Sequence, residues 1–483
     1  MADSSFRDAI PTVDAAGKRV WMYPRKPPTG KRAAKNTPNF FALRTYVSWV
    51  LLLILLLGPF IKINGHPLLM MNVLERQFSV FGVMFWPQDF HIFAIAMIAG
   101  FVALVLFTAV FGRIWCGWLC PQTVLMEMLF RKIEYAIEGD AAQQKALNAQ
   151  PWDQEKMFKK GLKHGVFFLM SFLIANLLLG YIIGGDALIS LVTSSPTRHA
   201  GGFFALMLFT LLFYALFARF REQACTFICP YGRFQSVLLD ENSLVVAYDH
   251  KRGEQRARKV RGETWEERLG LGKGDCVDCD LCVTVCPTGI DIRNGTQMEC
   301  VNCCNCIDAC NSVMEKIQRP PGLIRHASIN NIEQGERFKI TKRIKAYCVL
   351  LGVLTLTLFV LLLTREQIHM DLLRMRGSMY QEQPDGRITN TFEAAFFNKT
   401  GAELTGRLVL LYPEGKLMYS ANAETLLQLP PEQETTTHVV VSLHPDVITG
   451  RETSMDIGLE VNGRIMDHVK TTFMAPERAV RRR

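Results

Sequence analysis

Apolar residues fall into five blocks along the chain, near Leu43–Ile63, His91–Ile114, His164–Gly184, Gly202–Phe220 and Ile344–Leu363, with charged segments between them. About 20 helical residues cross the ~30 Å hydrocarbon core of a bilayer, so each block predicts a membrane-spanning helix. Two other patterns stand beside these blocks. Over Gln122–Gly139, Val124, Leu125, Met128, Leu129 and Ile133 recur at helical spacing among Glu127, Arg131, Lys132 and Glu134, which predicts a helix lying in the membrane interface or packed on a partner helix. From Thr364 to Arg483 the pattern changes to alternation, at Arg387–Phe397, Arg407–Leu411, His438–Leu443 and Met455–Val461, with Asn, Gly and Pro turns between. Short alternating strands over such a length predict a β-sandwich. That tail has no cysteine or histidine cluster, so it is expected to be an interaction or assembly module.

Composition supports segregation into membrane and aqueous parts. The 483 residues are 49% hydrophobic yet carry 54 Lys+Arg and 45 Asp+Glu. The first block follows a basic tail with no small-residue cleavage site after a short apolar core, which predicts an anchor and not a secretory signal. Lys18, Arg19, Arg25, Lys26, Lys31, Arg32, Lys35 and Arg44 place that tail in the cytoplasm by the positive-inside rule. Five crossings then put residues 64–90 and 185–201 outside, residues 115–163 and 221–343 inside, and the C-terminal tail outside. The net charge of +9 is matched by anionic lipid and calls for no nucleic acid. The expected architecture is an α-helical protein of five transmembrane helices, with an inserted cytoplasmic ferredoxin-like domain and a C-terminal all-β immunoglobulin-like sandwich. Its parts are a basic tail (1–42), a four-helix membrane domain (43–260), the ferredoxin domain (261–343), the fifth helix (344–363) and the periplasmic sandwich (364–483).

Of 14 cysteines, all but Cys348 fall in or beside cytoplasmic segments, where thiols stay reduced and serve as metal ligands or redox groups. The strongest chemical signal is Cys276-Val-Asp-Cys279-Asp-Leu-Cys282-Val-Thr-Val-Cys286-Pro287, followed by Cys300, Cys303, Cys306 and Cys310. In this spacing three close thiolates hold one cluster and the fourth crosses to the other. Cys276, Cys279, Cys282 and Cys310 are thus assigned to one [4Fe–4S] cluster, and Cys300, Cys303, Cys306 and Cys286 to a second. Zinc sites use two C-x2-C pairs set farther apart. Asp280 and Cys304 stand where glycine is frequent in such motifs, and Asn311 where proline often follows. Cys304 is surplus to the eight ligands, and Cys348 is expected to pack. Neighbouring clusters make a one-electron wire.

Two further pairs, Cys116-Gly-Trp-Leu-Cys120-Pro121 and Cys225-Thr-Phe-Ile-Cys229-Pro230, follow the second and fourth blocks at one constant offset. The match reads as a parallel duplication, with a site where the halves meet. On a continuing helix such cysteines would share a face with Cβ atoms ~5–6 Å apart, which suits a bridging metal better than a disulfide. The proline is expected to end or kink the helix, and Arg113, Arg221 and Arg233 to favour thiolates. Soft thiolates select Cu(I), zinc or iron–sulfur centres. Packing of small residues at helix ends is the alternative. His91 and His164 lie near block ends, so a buried haem pair is not expected. Met70, Met71, Met84 and His66 are expected to pack rather than bind copper.

Taken together, the two CxxxCP motifs, the ferredoxin cassette before the last helix and the cysteine-free sandwich resemble the cytochrome c oxidase accessory proteins called CcoG, FixG or RdxA. Arg76-Gln-Phe, Phe85-Trp-Pro-Gln-Asp89, Gly289-Ile-Asp-Ile-Arg-Asn-Gly295 and Gly322-Leu-Ile-Arg325 are similar to that family too. The resemblance implies reduction of Cu(II) to Cu(I), with copper held at Cys116, Cys120, Cys225 and Cys229, for assembly of a cbb(3)-type oxidase. It implies as partners a cytoplasmic electron donor, a copper-exporting ATPase or copper chaperone, and oxidase subunits or assembly factors; the sequence leaves open whether the chain forms a homo-oligomer. The competing expectations are a subunit of a quinol-oxidising respiratory module and a non-enzymatic assembly scaffold.

Overall fold

The computed structural model describes residues 24–28 and 37–476, apart from 64, 73–76, 81, 87–88, 196–198, 261, 337, 376, 378, 401, 420–425 and 432. Most of the basic tail, with Arg76, Pro87 and Gln88, lies outside the described residues.

Five helices are long and apolar enough to cross a bilayer: Phe40–Leu57, Phe90–Phe111, Gln154–Ile183, Ala200–Phe220 and Lys342–Leu363. At 1.5 Å per residue, 18 residues in the shortest span roughly 27 Å. The chain is a multi-pass membrane protein. The first helix starts earlier than hydropathy places it, because the Asn39 side chain accepts the Ala42 N–H at 2.9 Å and caps it there. It ends at Gly58, where an added Cβ would lie 2.3 Å from the Tyr181 hydroxyl oxygen. The third helix begins at Gln154 rather than His164, since Asp153 caps it through the Lys156 N–H at 2.8 Å. Its polar first turns stay helical because Lys160 and Lys163 find carboxylates, at 2.9 and 2.8 Å from Glu138.

The second and fourth long helices both break in the same way. Gly112 has φ 61° and ψ −132°, and its counterpart Arg221 has φ 49° and ψ −124°. Eight residues on, Cys120 and Cys229 are both extended, and Pro121 and Pro230 occupy the first turn of a new helix. The proline therefore restarts a helix, where its missing N–H costs nothing. Nor do the cysteine pairs ride on a continuing helix: Cys116 lies in the short helix Ile114–Trp118 and Cys225 in the π-turn Ala224–Ile228. The repeat is visible in the backbone itself.

The segment from Pro121 to Ile137 is helical, with a π-turn at Val124–Phe130. Its apolar face is buried, with Phe130 5.0 Å from Phe167 and stacked 4.4 Å from Phe217. It packs on partner helices rather than lying in lipid. In the hairpin region Met70 and Met84 are buried in packing on a three-stranded sheet. Gly185–Thr193, within the segment expected outside the membrane, is a helix.

Between the fourth and fifth long helices, strand Val245–Tyr248 pairs antiparallel with Ile324–Ala327 and brings the two ends of the cysteine-rich insertion together. The insertion core joins Val246, Tyr248, Ile290, Ile292, Ile307 and Leu323 to the cysteine motifs. Residues Met1–Leu358 form one compact unit and Phe359–Arg483 another.

The second unit has two antiparallel sheets. One runs Lys416–Tyr419, Glu434–Leu443, Ile388–Asn398, Ile368–Arg374, and the other Leu427–Leu429, Leu404–Tyr412, Glu452–Val461, Arg464–Met474. Ile368, Met370, Phe392, Phe396, Val439 and Val441 of the first meet Ile457, Leu459 and Phe473 of the second in one core. Period-two alternation puts these residues on the inner faces.

Candidate functional site

The cysteine motifs repeat a backbone device. In Cys276-Val-Asp278-Cys279-Asp280, residues 278 and 280 have φ of 50° and 53°; in Cys300-Val-Asn302-Cys303-Cys304, residues 302 and 304 have φ of 51° and 64°. This is why glycine is frequent at the position after the second cysteine. Here Asp278 and Asp280 are held in it by Arg293, at 2.8 and 2.7 Å. Left-handed turns of this kind gather backbone N–H groups into a concavity that favours an anion. The adjoining chain is pinned as well. Buried Asp275 is paired with Arg252 and Arg319, both at 2.5 Å. Fully buried Arg268 donates to the carbonyls of Ala257, at 2.6 Å, and Cys276, at 2.9 Å.

The thiols fall into the two sets read from spacing. Cys276, Cys279, Cys282 and Cys310 line one cavity with Tyr248, Leu281, Val313 and Ile324, about 360 Å³ of open space between atoms. Cys286, Cys300, Cys303 and Cys306 line a second, of about 340 Å³, with Val246, Ile290 and Ile292; Cys282 and Cys304 also reach it. Four thiols around an apolar void, below paired left-handed turns, fit a [4Fe–4S] cluster in each cavity. The surplus Cys304 is buried, with Sγ 3.1 Å from Nε2 of His326. Cys348 is exposed on the fifth long helix.

The membrane-edge pairs converge. Cys116 and Cys225, from the two halves of the repeat, line one pocket of about 480 Å³, whose far wall is Pro287, Thr288, Met298, Glu299 and Val301 of the insertion. Those wall residues neighbour Cys286 and Cys300 of the second set. Close approach is built in at Gly117, where an added Cβ would lie 2.4 Å from the Val301 carbonyl oxygen and 3.0 Å from that of Asn302. Trp118 Nε1 also donates to the Asn302 carbonyl, at 3.3 Å. Arg113 donates to the carbonyls of Met298 and Gly232, the latter at 2.8 Å, and so ties the insertion to the second motif. Cys120 and Cys229 lie near enough to act electrostatically on Cys116.

Electrostatics here differ from the expectation of thiolates. Burial pushes the Cys116 thiol up to about 11 and the Cys225 thiol up to about 12. Arg113 opposes that burial at Cys116 without reversing it. Arg221 is turned to Glu134 instead, in a bidentate pair at 3.0 and 2.8 Å. That pair belongs to a chain of ion pairs running Arg221, Glu134, Lys163, Glu138 and Lys160, and beside it Arg131 bridges Glu127 and Glu222; both groups lie between the halves of the repeat.

Several residues of the site carried no sequence signal. Gln235 Oε1 lies 3.3 Å from Cys116 Sγ, Met126 and Met298 place thioethers on the pocket, and Glu127 and Glu222 add carboxylates. Arg44, one of the charges that orient the basic tail, is 1% exposed and directs Nη1 at Asn305 Oδ1, 3.5 Å away. Arginine flanking an apolar block marks membrane orientation and gives no hint of such a partner.

Five membrane helices, a two-cluster insertion and a thiol pocket walled by that insertion define a membrane polyferredoxin. Family models agree: residues 220–329 match a "4Fe-4S dicluster domain", residues 93–137 a "4Fe-4S binding domain", and residues 358–476 the "IG-like fold at C-terminal of FixG, putative oxidoreductase". The chain is 35% identical to Protein RdxA of Cereibacter sphaeroides, over 78% of this chain and 83% of that one. It is 32% identical to Protein RdxB of the same organism, over 87% and 90%. Nitrogen fixation protein FixG of Rhizobium meliloti is 36% identical over 66% of this chain and 61% of its own. The chain belongs to the FixG/RdxA family of membrane iron–sulfur proteins.

Proposed function

We propose that this protein is a cupric reductase of the bacterial inner membrane, supplying Cu(I) for assembly of a cbb(3)-type cytochrome c oxidase. The observation that carries the reading is the pocket shared by Cys116 and Cys225 on one wall and the neighbours of Cys286 and Cys300 on the other. The sets Cys276, Cys279, Cys282, Cys310 and Cys300, Cys303, Cys306, Cys286 would each hold a [4Fe–4S] cluster, and such a pair would supply single electrons.

The chain's own residues do the rest. Cys116, Cys120, Cys225 and Cys229 take up Cu(II), and the protons that burial keeps on Cys116 and Cys225 leave as the metal binds. Glu299 lines the same pocket and receives them. Gln235 orients Cys116. Each Cu(II) takes one electron, and the Cu(I) formed is retained by soft sulfur, the thioethers of Met126 and Met298 included. A copper-exporting ATPase or chaperone then receives it. The N-terminus and insertion face the cytoplasm, with their electron donor there, and the sandwich faces the periplasm.

The test uses purified full-length protein, chemically reduced and mixed anaerobically with Cu(II), with cluster absorbance and a Cu(I) chelator read together. One Cu(I) should form per electron lost, and a variant with serine at all four membrane-edge cysteines should lose the reaction while keeping its cluster absorbance. Unchanged reduction in that variant refutes the site.

A further inference from the structure

Beside the N-terminal half of the first long helix lies an open cleft, about 1070 Å³ of space between atoms, apart from the thiol pocket. Its cations are Lys26 and Lys132; its walls are Tyr46 and Trp49 from the first long helix and Tyr135 from the helix Arg131–Ile137. Lys132 Nζ lies 3.5 Å from Thr45 Oγ1 and 5.9 and 6.0 Å from the ring centres of Phe41 and Trp49. No carboxylate lines this cleft among the described residues. The nearby Asp140 is engaged by the Lys26 backbone N–H at 3.0 Å and by Arg25 at 3.9 Å. Burial, then Arg44 and Lys26, lower the pKa of Lys132, which marks cations crowded together without an anion.

The cleft's other character is lipid-facing. Tyr46 and Trp49 are 69% and 59% exposed on a membrane-spanning helix, and Leu53, one turn further along, is 57% exposed. Tyrosine and tryptophan settle where hydrocarbon meets headgroup. A ligand that satisfies both ends has a negatively charged head and an apolar body.

We propose that this cleft binds the phosphate-bearing headgroup of an anionic phospholipid, with Lys26 and Lys132 on the phosphate and the acyl chains along Tyr46, Trp49 and Leu53. A quinol fits the chemistry less well, because its oxidation releases protons and the described lining offers neither carboxylate nor imidazole to accept them.

The experiment is native mass spectrometry of the delipidated, cluster-loaded full chain titrated with phosphatidylglycerol or phosphatidylcholine. One phosphatidylglycerol should be retained where phosphatidylcholine is not. The double variant Lys26→Gln/Lys132→Gln should need roughly tenfold more lipid or higher, while Lys132→Arg alone keeps wild-type retention. Cluster absorbance reports that each variant is folded. Equal retention of the two lipids, or unchanged retention in the double variant, overturns the proposal. So does displacement of the lipid by decylubiquinone, which would make the cleft a quinone site. Displacement by inorganic phosphate alone overturns the lipid as the source of the headgroup.

Discussion

Replacing Glu134 by glutamine tests whether the charged network holds the two halves of the repeat together. Glu134 is 1% exposed and takes Arg221 in two hydrogen bonds, with Lys163 3.4 Å from the same carboxylate. Burial alone would raise its pKa, but Arg221, Lys163 and Arg131 outweigh burial and hold it at about 2, against 4.5 for a free carboxyl. At about 1.36 kcal/mol per pH unit, that gap corresponds to about 3 kcal/mol in favour of the charged form. Removing one partner of a buried ion pair costs about 3–5 kcal/mol, so the two routes agree. Glu134→Gln should therefore lower stability at pH 7 by about 3 kcal/mol, read from denaturant unfolding in detergent. Amide exchange should speed up across the turn at Arg221 and the following π-turn. Because the folded pKa is depressed, the contribution is complete above pH 4.5 and is lost as pH falls through about 2; the gap between variant and wild type should close over that range. Adding Arg221→Met should recover part of the loss, since it removes the buried cation left without its carboxylate. A single-variant effect under about 1 kcal/mol would refute the assignment of this pair as a clamp.

Three other outcomes follow from the geometry. Gly117→Ala should cost about 1–3 kcal/mol and slow electron delivery to the thiol pocket, seen in stopped-flow absorbance, because the added carbon meets the Val301 carbonyl. Cys279→Ser and Cys303→Ser should each lower iron from about eight to about four per chain, measured with sulfide, since each removes a ligand from a different set. Asn398→Ala should destabilise the C-terminal unit by about 2–4 kcal/mol in calorimetry of the full chain, because its amide donates to the carbonyls of Ala402, at 2.8 Å, and Leu429, at 2.9 Å, from a fully buried position.

The parts legible in the sequence are those written locally. A long apolar run, a C-x2-C-x2-C-x3-C spacing and a period of two each declare themselves within a few residues, so the five helices, the dicluster segment and the sandwich strands are legible. Helix ends moved because single caps such as Asn39 and Asp153 outweigh average hydropathy. Contacts across long separations were not legible: Arg44 meets a residue 261 positions away, and Cys116 and Gln235 are 119 apart. The raised pKa of Cys116 and Cys225 is not legible for the same reason. Arginine nearby in sequence proved to be committed to Glu134 and to carbonyls, so burial prevailed.

The matched breaks at Gly112 and Arg221 also mean that the two halves have become specialists. At the first break, glycine leaves room for the insertion, since a Cβ there would lie 2.9 Å from the Leu244 carbonyl and 3.2 Å from the Asn302 amide. At the second, the same backbone turn carries a guanidinium that locks onto Glu134. A dimer built from two copies of the first half would offer two docking faces and no lock, and one built from the second half two locks and no docking face. Fusion of the halves in one chain is what gives a single thiol pocket both the docking face and the lock.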